Sequence, residues 1–100
     1  MLAFLLVASH TYYAAAVATF GCTSSEEVVE LRHLQTNGLP FEKELYGQIF
    51  QGQCVNIPKG TIVEGSVRKE DPQMLVIDRQ IIPPGYIAPL ADFELTSDRR

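Results

Sequence analysis

MLAFLLVASHTYYAAAVATFGC, residues 1–22, carries no Asp, Glu, Lys or Arg, and the first charged side chain of the chain is Glu26. How this stretch is read decides where the folded domain begins. Leu2–Ala8 is apolar enough to engage a membrane or a secretion channel, and Ser9–Ala15 continues it less strongly. Ala16-Val17-Ala18 is a small-x-small pattern of the kind a signal peptidase cuts, so a secretion signal would comprise residues 1–18. As a membrane anchor, Leu2–Gly21 would form a helix about 30 Å long, enough to cross the hydrocarbon core. Each reading has a feature against it. No Lys or Arg precedes the apolar run, and His10, Tyr12 and Tyr13 would fall near the bilayer centre, whereas Tyr favours the interface. Lipidation at Cys22 is a third reading, which Gly21 suits and Phe20 and Thr19 do not. The expected first element is an N-terminal apolar helix, signal or anchor.

Beyond the leader, about 82 residues remain, near the lower size at which one hydrophobic core suffices. They carry the whole net charge of −4. Eight Lys and Arg residues are scattered from Arg32 to Arg99-Arg100 with no basic patch, so nucleic acid is excluded as the expected partner. The two cysteines, Cys22 and Cys54, behind an export signal read as a disulfide of an oxidising compartment. Closing a loop of about 33 residues would stabilise the fold by roughly 3–4 kcal/mol on chain-entropy grounds. The alternative is two free thiols. A zinc site is disfavoured, because there is no C-x-x-C and only His33 could join the pair.

The chain after the leader divides into a helical front and a strand-like back. Thr23-x-x-Glu26 and Ser24-x-x-Glu27 both match a capping box, and Glu26, Glu27 and Glu30 place acid at the positive end of a helix dipole. Val28, Leu31 and Leu34 recur at helical spacing, and Asn37-Gly38 supplies a stop. A second helix is predicted from Pro40 to Gln51, with Phe41, Leu45 and Ile49 on one face and Gly52 as its end. From Val55 the pattern turns to short β-type runs: Val55–Ile57, Thr61–Arg68, Met74–Ile77 with Ile81-Ile82, Tyr86–Ala88 and Phe93–Leu95. Pro58-Lys59-Gly60, Lys69–Pro72 and Pro83-Pro84-Gly85 are turn signals between them.

CVNIPKGTIVEGSV, residues 54–67, resembles the opening of bacterial SH3-like domains, and YIAPLADFEL, residues 86–95, is similar to the way such barrels close. GCTSSEEVVELRHL and GQCVNIPKGTIV set these runs in a layout that covers most of residues 21–95. The layout resembles small exported bacterial proteins of unknown function, in which a helical pair with one Cys precedes a second Cys and an SH3-like β unit. That resemblance implies export and a disulfide, and no activity. The expected fold is α+β. An N-terminal apolar helix (1–18) leads a short helical hairpin (19–52) and a small SH3-like antiparallel β-barrel or meander (53–100), the last two in one compact domain.

Catalytic patterns are thin. Glu30-x-x-His33 has the spacing used in carboxylate-bridged metal sites, but the second helix offers only Glu42 and Glu44 and no second His. No G-x-S-x-G or Gly-rich phosphate loop occurs. The acid pairs Glu70/Asp71, Asp92/Glu94 and Glu42/Glu44 fall in turns or on a charged helix face. No catalytic residue, metal or cofactor is expected. Binding through exposed aromatics is the favoured activity, with Tyr86, Phe93, Tyr46 and Pro84 as candidates, the alternative being that each aromatic fills the core and that Pro83-Pro84-Gly85 is only a turn. The leading expectation is an exported, periplasmic or secreted, non-catalytic domain acting through protein contacts in the cell envelope. The alternatives are an accessory subunit held in a membrane complex by residues 2–21, and a small hydrolase or enzyme inhibitor.

Overall fold

The computed structural model describes residues 11–79 and 84–97. Its first element is a strand, β1 (Tyr12–Ala15), followed after a short link by β2 (Thr19–Cys22). Two helices come next, α1 (Ser25–Thr36) and α2 (Phe41–Phe50). The chain then runs through β3 (Cys54–Ile57), β4 (Ile62–Arg68), β5 (Asp71–Arg79) and β6 (Ile87–Pro89). A 3-10 helix (Leu90–Asp92) leads into β7 (Phe93–Thr96). The seven strands form one antiparallel sheet in the order β3-β2-β6-β5-β4-β1-β7.

This corrects the expected α+β architecture led by an apolar helix. The described part of the leader forms the two strands β1 and β2 with a bend between them, and no helix among the described residues is long and apolar enough to cross a membrane. The physical reason lies in β2, where Thr19, Phe20, Gly21 and Cys22 are all buried. A strand covered on both faces presents a continuous apolar run, which periodicity alone does not separate from a buried or membrane helix. The unit 19–52 therefore starts with a strand, and that strand pairs with β3 and β6, so β2 and the later strands share one sheet. The Leu2–Ala8 run and Ile81-Ile82 lie outside the described residues.

Residues 12–22 are one bent line of chain. Tyr12, Tyr13 and Ala14 pair with Glu64, Val63 and Ile62, and Thr19 through Cys22 pair with Ile57 through Cys54 in the same register, carried past the bend without a slip. The opposite flank pairs Cys22 with Ile87 and Tyr12–Ala15 with residues 96–93 of β7, and there the register slips by one residue across the Leu90–Asp92 turn. β5 joins β4 to β6, so the sheet curls round on itself. The links 16–18, 58–61 and Leu90–Asp92 bend at one level. There the Ala15 N–H donates to Thr61 O at 2.9 Å, the Gly60 N–H to Ala15 O at 2.8 Å and the Ala16 N–H to Asp92 O at 2.8 Å. Gly65 permits the curl in β4, where the register with β5 shifts. A Cβ there would stand 2.6 Å from Val76 O and 2.9 Å from Leu75 Cδ1.

Side chains alternate between two cores. Inside the curl lie Ala15, Ile57, Val63, Leu75, Ile77, Ala88 and Phe93. On the outer face Phe20, Cys22, Cys54 and Met74 pack against Val28, Leu31 and Leu45 of the helices. Met74 and Leu75 thus serve opposite faces, which accounts for the apolar run 74–77.

The helix ends follow local chemistry. Ser24 is the N-cap of α1, its hydroxyl accepting from the Glu27 N–H at 3.2 Å. Gly38 follows the C-cap with φ 67°, a conformation a Cβ would oppose.

Candidate functional site

Cys22 and Cys54 form a disulfide. They are partners in the β2–β3 ladder, with Cα atoms 4.0 Å apart, and the neighbouring Thr23 N–H donates to Gln53 O at 2.9 Å. The pair is therefore a non-hydrogen-bonded one, the position at which antiparallel Cα atoms approach most closely. Both cysteines are fully buried under the helices, so the bridge serves the fold and offers no exposed redox centre.

A groove runs beside α1. Val28, Val29 and Arg32 form one wall, Pro72 and Met74 of β5 the other, and Pro89 to Asp92 an end of this open groove of about 610 Å³. Two of these lining residues are prolines, which present no N–H to a ligand. Met74 and Val28 are buried at its base, while Val29 stands 57% exposed at the rim. The lining contains no His, Cys or Ser.

Arg32 and Asp92 fix the geometry of the groove's far end. Asp92 Oδ2 accepts from the Arg32 guanidinium at 2.6 Å and from the Thr19 hydroxyl at 2.7 Å. Arg32 also donates to Gln35 Oε1 at 2.6 Å and lies 5.8 Å from the Phe20 ring centroid. One carboxylate therefore ties α1 to the 3-10 helix and to β2. Because the guanidinium is engaged on three sides, it shapes the groove and is not a free anion site.

The aromatic residues expected to bind do not converge. Phe93 is in the inner core. Tyr86 is buried, with its carbonyl accepting from the Ile77 N–H at 2.8 Å. It lines a small hollow of about 200 Å³ with exposed Pro84, Gly85 and Thr23. Tyr46 is exposed on α2 and borders a separate depression of about 440 Å³ against Phe41, Asn56 and Pro58. His33 is exposed, and its ring bonds only the Asn37 side chain among the described residues. No group of three or more His, Cys, Asp or Glu residues among the described residues is placed to hold a metal ion.

The groove residues were missed because they come from three segments far apart in the chain. One signal was available: Val29 is an apolar residue off the Val28/Leu31/Leu34 stripe, on the face a solvated helix would leave polar. No protein-family model matches the chain, and comparisons with curated proteins and with solved structures return no match.

Proposed function

We propose that this chain is a non-catalytic binding module of the cell envelope that holds an apolar segment of a partner protein in the groove beside α1. The observation that carries the reading is the groove itself: a concave, mainly apolar hollow with an exposed valine at its rim and a rigid polar clamp at one end. Sites of this make-up bind by excluding water from apolar side chains, with a few fixed polar groups setting orientation. The disulfide supports placement outside the cytoplasm, in an oxidising compartment. On this reading the folded module retains β1, so any leader ends before Tyr12.

Site-specific photo-crosslinking in cells producing the full chain tests the proposal. A photoreactive residue at Val29 is expected to give a discrete adduct with another protein, and one at Lys43, on the exposed face of α2, is expected to give none. No adduct from position 29, or the same adducts from both positions, would refute it.

A further inference from the structure

The groove does not stop at Val29. Val29 and Met74 are shared with a second hollow of about 280 Å³, lined also by Ser25, Glu26, Glu30 and Asp71. Apolar surface and acidic surface therefore lie end to end along α1. Residues 25 to 32 span about 10 Å at the helical rise, the reach of two or three extended residues. Glu26 and Glu30 stand one turn apart, a like-charge spacing that a cation would relieve. Neither they nor Asp71 form an ion pair within the described residues, whereas the groove's own cation, Arg32, is held by Asp92. Arg68, the ladder partner of Asp71, makes no ion pair within the described residues.

Resting on the binding reading above, we infer that the partner segment carries an apolar anchor residue with Lys or Arg close beside it in sequence. The anchor sits between Val29, Met74 and Leu90, and the basic side chain lies over Glu26, Glu30 and Asp71. The chain's net charge of −4 adds a general attraction for such a segment.

The test is selection of phage-displayed random 12-residue peptides on the full, disulfide-bonded chain, with a Val29→Arg variant as the counter-target. Position 29 is exposed, so that variant is expected to keep the wild-type circular dichroism spectrum. Peptides retained by wild type and lost on Val29→Arg are expected to pair an apolar residue with a Lys or Arg within about four positions. Binding of a selected peptide is expected to weaken about 2–10-fold in Glu26→Gln/Glu30→Gln, and similarly between 50 and 500 mM salt, as for partly exposed ion pairs. Groove-dependent peptides without basic residues, or with affinities indifferent to the double substitution, would overturn this inference and leave the groove reading standing. Finding no peptide sensitive to Val29→Arg would overturn both.

Discussion

Removing β1 is expected to unfold the domain. A cut after Ala18 deletes residues 12–15 from between β4 and β7. Among the described residues β7 pairs with no other strand, so it loses its place in the sheet, and with it goes Phe93, which is 8% exposed in the inner core. Losing a buried phenylalanine side chain costs about 3–5 kcal/mol. The cut also removes hydrogen bonds from Ala15 and Ala16 to Thr61 and Asp92, each with a net value of about 1 kcal/mol. A domain of this size has roughly 5 kcal/mol to lose. The comparison is between chains beginning at Thr11 and at Thr19, unfolded in urea and followed by far-ultraviolet circular dichroism. With an m value of about 1 kcal/mol/M, the shorter chain should either lack a folded baseline or melt at least about 3 M earlier. Coincident midpoints would refute the reasoning and show that β1 is dispensable packing.

Three further outcomes follow from the same geometry. Gly65→Ala should cost about 1–3 kcal/mol in denaturant melts, because its Cβ meets backbone that has little room to move. Replacing both Cys22 and Cys54 by Ala should cost about 3–4 kcal/mol, the loop entropy for a sequence separation of 32. The β2–β3 amide protection pattern should survive in that variant, since the cysteines are ladder partners with or without the bond. Asp92→Ala should destabilise by about 1–3 kcal/mol, leaving the buried Thr19 hydroxyl unpaired, and Asp92→Asn by less, since an amide oxygen still accepts.

The helices were legible because their ends are decided locally. Ser24 caps its own helix, and Asn37-Gly38 closes it, through contacts within a few residues. The disulfide was legible because there are only two cysteines to pair. β1 and β2 were not, since Tyr13 and Ala15 are covered by β4 and β7, far along the chain, and Phe20 by β3 and the two helices that fold back over it. The same distance hid the groove. Met74 reads as one residue of an apolar strand, and only its outward turn toward α1 makes it a groove floor. For Tyr86 and Phe93 the sequence left contact and core both open, since an aromatic near a turn has the same signature whether it faces solvent or core, and the structure buries both.

By itself, the sequence determined the capped helices, the cysteine pair, the acidic balance and the positions of most turns, all of which depend on composition or on neighbours along the chain. Only the tertiary structure decided that residues 12–22 form two strands either side of a bend and that α1 overhangs an apolar groove. Apolarity says that a segment leaves water. Whether it enters a membrane or a sheet depends on the partners the rest of the chain brings to it, and here those partners are β4 and β7 for β1, and β3 and β6 for β2.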